Sequence, residues 1–71
     1  MIATIAKNSR EEIRISIDAF QGQNLVNVRV WFIDGETMRP GKQGIALKPA
    51  LLPALIDALQ LAQARVAGDG L

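Results

Sequence analysis

Hydrophobic and polar positions alternate most cleanly from Leu25 to Ile33, L-V-N-V-R-V-W-F-I. β-Branched and aromatic residues dominate this run, and such side chains suit a pleated, half-buried surface. With a period of two, Val26, Val28, Val30 and Phe32 point one way, and Leu25, Asn27, Arg29, Trp31 and Ile33 point the other. The first row is apolar and demands a core. The second sets a cation and a large ring two positions apart on the opposite face. The same alternation makes a strand of Ile13, Ile15 and Ile17, interleaved with Arg14, Ser16 and Asp18 and led in by Glu11 and Glu12. Between these runs Asp18, Gln21, Gly22, Gln23 and Asn24 supply turn chemistry, with Phe20 held in its middle.

The long run stops at Asp34-Gly35, a hairpin signal because both residues tolerate positive φ. Glu36 to Arg39 predicts a short third strand. Pro40-Gly41 breaks it, and Pro40 confines that segment to an edge or a bulge because it cannot donate to a ladder. Gly44 to Leu47 predicts a fourth short strand, with Ile45 and Leu47 inward. Closely spaced strands with short turns imply an antiparallel meander. Met1 to Arg10 alternates only weakly, as an edge strand or a mobile arm would.

The period changes after Leu47. Pro49 suits the first position of a helix, where its missing N–H costs nothing, and the residues from Ala50 to about Ala67 are strong helix formers. Pro53 is awkward, because in a helix begun at Pro49 it removes an early hydrogen bond. At about 100° per residue, Leu51, Leu52, Leu55, Ile56, Leu59, Ala62 and Val66 form one stripe, extended by Ala54, Ala58 and Leu61. That apolar arc spans roughly 220°, against the roughly 100° that one sheet contact needs. One side is expected to cover the sheet and the other to meet a second chain. Only Asp57, Gln60 and Ala64 clearly face water. Residues 1–11 are thus expected to form an arm or edge strand, 12–67 a single domain, and 68–71 a disordered tail.

Composition sharpens the expectation of an oligomer. A 71-residue chain that is 49% hydrophobic has more apolar surface than a small monomer easily hides. With no cysteine and no histidine, neither disulfides nor an ordinary zinc site can reinforce it. No metal or cofactor is expected. The start of the chain lacks the pattern of a secretory signal, and no apolar run approaches the roughly 18 residues that span a bilayer. A cytoplasmic protein without a membrane partner is expected, at the nucleoid if bacterial.

Catalysis has little to stand on. Nucleophile–base pairs would have to come from serine, lysine or carboxylates, and the adjacent Glu11 and Glu12 face opposite sides of a strand. The glycines around Lys42 and Gln43 do not have the spacing of a phosphate-binding loop. What remains is basic plus aromatic: Arg14, Arg29, Arg39 and Lys42 with Phe20, Trp31 and Phe32 nearby. Single-stranded nucleic acid is held by such a combination, cations following phosphates and rings stacking on unpaired bases. The plainer reading makes the rings core or interface residues and the arginines surface charges. A net charge of +1 does not decide between them.

F-x-G-x-x-L-V-x-V-R (Phe20 to Arg29), the aromatic pair Trp31-Phe32, the run M-R-P-G-K-x-G-I-A-L (Met38 to Leu47) and a Pro-initiated apolar helix occur in that order. Together they resemble the C-terminal domain of the transcriptional coactivator positive cofactor four and its bacterial and phage relatives, over Ile13 to about Leu61. The resemblance implies an α+β fold: a curved four-stranded antiparallel sheet and one C-terminal helix, dimerising through helices in which Leu51, Leu55, Ala58, Leu59 and Ala62 meet. It also implies low-specificity binding of single-stranded DNA, melted duplex or RNA, in transcription, replication or repair. Phe20, Arg29 and Phe32, or Trp31 in its place, would supply ring and guanidinium contacts, and Arg39 and Lys42 phosphate contacts. Arg29 and Phe32 have opposite strand parity, so a bulge or twist would be needed to bring both to one ligand. Family members usually carry lysine where this chain has Gln21, Gln23 and Gln43. Either binding is weaker, or the glutamines hydrogen-bond the nucleic acid themselves, or the chain is a protein-interaction module of the same fold that has lost strong DNA binding.

Overall fold

The structure, a computed structural model, describes residues 1–68. Four antiparallel strands, β1 (Ala3–Ala6), β2 (Glu11–Phe20), β3 (Gln23–Asp34) and β4 (Thr37–Leu47), form one sheet in sequence order. A 3₁₀ turn over Pro49–Leu51 leads into helix α1 (Leu52–Gly68). The expected four-stranded sheet and C-terminal helix are present, but the strands divide differently. Met1 to Arg10 supplies an edge strand, and the two short runs after Asp34 are a single strand. They are continuous because β4 stays paired to β3 on both sides of an interruption.

That interruption is where Pro40-Gly41 predicted a break or bulge. Arg29 pairs with Gly44 and Trp31 with Pro40, so Val30 alone opposes Gly41, Lys42 and Gln43. β4 thus carries two extra residues, and Pro40 sits on an edge strand where its missing N–H is tolerated. The crossing is close. A Cβ on Gly44 would lie 2.8 Å from the Val28 carbonyl oxygen and 3.0 Å from Arg29 Cα, and one on Gly41 would lie 2.8 Å from the Val30 carbonyl oxygen.

The turn between β2 and β3 is shorter than expected. Phe20 is not inside it but ends β2, paired with Gln23. Only Gln21 and Gly22 remain as the loop, at φ of 50° and 76°. Two successive positive values match the type I′ turn, whose twist suits the flanking strands. Glutamine is an uncommon choice there, which is why composition alone suggests a longer loop.

Register assigns the two faces. Ile13, Ile15 and Ile17 stand opposite Val30, Val28 and Val26, and Ile45 and Leu47 stand opposite Val28 and Val26. Ala3 and Ile5 extend this apolar face on β1. Glu12, Arg14, Ser16, Asp18 and Phe20 share the other face with Gln23, Leu25, Asn27, Arg29 and Trp31. The alternation in the sequence is borne out, but the core it demands is not formed within one chain. No residue among those described is fully buried, and Ile17 and Ile45 remain about half exposed.

The helix does not cover the sheet, contrary to expectation. Lys48 is extended (φ −66°, ψ 141°), as a residue before proline is biased to be, and the chain leaves β4 without folding back. Leu52 and Leu55 are half-buried at the root of α1, and every other described helix residue is exposed. Pro53 falls in the first turn of the α-helix, where its missing N–H would have had no partner, so it causes no interior break. The radius of gyration is 14.4 Å, against about 11 Å for a compact domain of this length. Pro49–Gly68 is also 20 residues long and apolar enough to cross a bilayer by length and composition. This corrects the expectation that no such stretch exists, which considered only apolar runs. Asp57 near its middle would cost about 2.5–3.5 kcal/mol at a bilayer centre. Gly68 closes the helix, so the expected tail does not begin there; its other residues, 69–71, lie outside the described part of the chain.

Candidate nucleic-acid interface

Register divides the candidate residues between two faces. Phe32 lies on the apolar side of the sheet, directly opposite Glu11 on β2 and Arg39 on β4. The extra residues of β4 add Lys42 and Gln43, and a shallow groove is lined by Glu11, Val30, Phe32, Gly41, Lys42 and Gln43. Phe32 is 39% exposed there. A ring, two cations and an amide are therefore gathered where the apolar face ends. Arg39 Nε lies 2.6 Å from Asp34 Oδ2, but this pair is well exposed and so only weakly coupled. Among the described residues Lys42 pairs with no carboxylate.

Arg29 and Trp31 belong to the opposite face. The bulge does not reunite Arg29 with Phe32, because its extra residues are in β4 and the alternation of β3 passes through unbroken. Arg29 Nη1 instead donates to the Gly41 carbonyl oxygen at 3.1 Å, bracing the bulge from behind. Trp31 is half-buried, and the guanidinium of Arg14 lies 4.0 Å from its ring centroid. Glu12 fixes that guanidinium through Arg14 Nε at 2.6 Å. The partner of the tryptophan is thus Arg14, not the Arg29 that the strand pattern placed beside it.

Phe20, Gln21 and Gln23 form a third group at the hairpin end of the sheet, with Phe20 59% exposed. Phe20 and Glu11 are the two ends of β2, about 30 Å apart at strand rise. Within one chain the Phe20 patch is separate from the Phe32 groove.

A family model for Transcriptional Coactivator p15 (PC4) matches residues 7–58. The chain belongs to the PC4 family. The match runs from the β1–β2 connection into the helix, so it contains the whole groove. A PC4 homologue from Burkholderia pseudomallei K96243 has the same fold, with a TM-score of 0.83 and 36% identity in two crystal forms. The similarity covers 87% of this chain and 85% or 93% of that one. A bacteriophage T5 homologue of eukaryotic PC4, implicated in recombination-dependent DNA replication, shares the fold at a TM-score of 0.67 and 22% identity, over 94% of this chain and 84% of its own. A search of curated proteins finds no match.

Against the sequence reading of this PC4-family chain, the groove has three unforeseen lining residues, Val30, Gly41 and the one that brings a charge, Glu11. The parity of β2 places it with Ile13, but only the pairing of β2 with β3 sets it beside Phe32. Its carboxyl is held below the usual glutamate range by hydrogen bonds from Asn8 and Lys7 and by the charge of Lys7.

Proposed function

We propose that this protein binds single-stranded nucleic acid with low sequence specificity, as a homodimer joined through α1. Its place would be in transcription, replication or repair, in the cytoplasm and at the nucleoid in a bacterium. The observation that carries the reading is Phe32: an open ring with Arg39 across the strand and Lys42 and Gln43 in the same groove. A base stacks on the ring while the cations hold flanking phosphates. Trp31 is the weaker choice for stacking, because Arg14 occupies its ring. Phe20, Gln21 and Gln23 act as a second patch, and Arg29 supports the groove through the Gly41 carbonyl. Family membership supports the DNA-binding reading. The apolar surface left open on sheet and helix supports the dimer.

The test is fluorescence anisotropy at low salt with a labelled oligonucleotide and the duplex of the same sequence. Single strands should bind more tightly, and Phe32→Ala should weaken them about 5- to 150-fold, the equivalent of one stacked base. Trp31→Ala should cost less. If single strands bind no better than duplex and Phe32→Ala changes nothing, the proposal fails. In that event the carboxylate of Glu11 in the groove favours a protein-interaction module of the same fold.

A further inference from the structure

Glu11 is the single carboxylate among the residues lining the groove. Across three strands one row runs Glu11, Phe32, Arg39: anion, ring, cation. The anion is held in place. Asn8 Nδ2 donates to its Oε1 at 2.8 Å, and Lys7 Nζ to the same oxygen at 3.3 Å. Asn8 is itself fixed, its Oδ1 accepting the backbone N–H groups of Arg10 and Glu11 at 2.9 Å each. Both side-chain bonds go to Oε1, which leaves Oε2 as an acceptor facing no described donor.

A strand crossing Phe32 meets Glu11, paired through one oxygen with Lys7, on one side, and on the other the exposed Arg39 and Lys42, the latter unpaired among the described residues. Its phosphates are drawn toward Lys42 and Arg39, and on the other side the edge of the stacked base comes to Oε2, the oxygen that Lys7 and Asn8 leave open. An ionised carboxylate only accepts hydrogen bonds. We propose that Glu11 selects the base stacked on Phe32, favouring those that present an exocyclic amine over thymine or uracil. This rests on the single-strand reading above and adds a bias by base type to it. Cytosine donates its N4 amine to Oε2, a pairing that carboxylates make in nucleic-acid recognition. Thymine in the same pose sets O4 against a negative charge, and its one ring N–H lies between two carbonyls. Gln43 does not discriminate, because its amide both donates and accepts.

Oligo-dC and oligo-dT of equal length isolate the effect, since their rings are of similar size. Anisotropy titrations at mildly alkaline pH and one salt concentration would compare wild type with Glu11→Gln. Wild type should prefer dC about tenfold, within the range of one good side-chain–base pair. Glu11→Gln should bring the two to within about twofold, chiefly by tightening dT, because its amide can satisfy either edge. Replacing cytosine with its analogue lacking the N4 amine should abolish the wild-type preference without touching the protein. If wild type shows no preference and Glu11→Gln tightens both oligonucleotides equally, Glu11 merely repels phosphate and the selection is disproved while single-strand binding stands. If neither oligonucleotide binds either protein, the underlying function is wrong and this inference falls with it.

Discussion

Leu59 offers the sharpest test of assembly. It lies on the expected contact stripe of α1 and is 60% exposed in the single chain, so its own fold makes little use of it. Full burial of a leucine is worth about 1.5–3 kcal/mol, so covering the exposed part contributes about 1–2 kcal/mol per copy. A two-fold interface counts it twice, and Leu59→Ala should weaken association by about 2–4 kcal/mol, or raise the dimer Kd about 30- to 700-fold. Leu55 is a poorer probe. It is already half-buried in its own chain, and a charge there should abolish cooperative folding along with association. Sedimentation equilibrium over a wide concentration range gives the dissociation constant directly. Melting gives it independently, since Tm rises with concentration when association stabilises the folded state. Wild type should show that rise, and Leu59→Ala should melt lower, with its monomer–dimer transition moved to higher concentration. A wild-type protein that stays a 7.7 kDa species throughout, with Tm independent of concentration, refutes the reasoning.

Three further outcomes follow from local geometry. Gly44→Ala sets a Cβ 2.8 Å from the Val28 carbonyl oxygen, a backbone atom that cannot swing aside, and should destabilise by about 1–3 kcal/mol in thermal or urea melts. Gln21→Asn places a residue tolerant of positive φ at the first loop position and should stabilise by up to about 1 kcal/mol in the same assay. The lowered Glu11 carboxyl contributes stability that is fully present above the unfolded-state glutamate value and is lost as pH falls through the folded one. The stability difference between wild type and Glu11→Gln should therefore shrink on acidification through that window and level off below it.

The faces of β2 and β3 are legible in the sequence because alternation with period two needs no knowledge of partners. Helix α1 is legible from its apolar stripe, although Pro49 opens the 3₁₀ turn before it and not the α-helix itself. The division of β4 is not, since a strand interrupted by Pro-Gly and two separate short strands have the same local pattern, and only continued pairing with β3 tells them apart. The loop at Gln21 escapes for a related reason: Phe20 and Gln23 become strand residues through pairing with each other. Around the groove, Phe32, Arg39 and Lys42 come forward from the basic and aromatic residues of the sequence, and Gln43 through resemblance to a family. Glu11 does not, because a register shifted by two would set Ile13 against the ring with no change in the sequence. Where the helix goes is equally a matter of tertiary geometry, set by the extended backbone at Lys48.

The surplus in β4 is two residues, and the pairing on either side of it decides how the segment can change. Removing one residue between Pro40 and Gly44 would leave two residues opposite Val30, an ordinary one-residue bulge, with Ile45 and Leu47 still facing Val28 and Val26. Removing two would restore an ordinary ladder, keep every side chain on its present side and delete only the protrusion that carries Lys42 and Gln43. The segment that furnishes the groove is thus a cassette that can shorten by one residue or by two while the pairing on either side keeps the sheet intact.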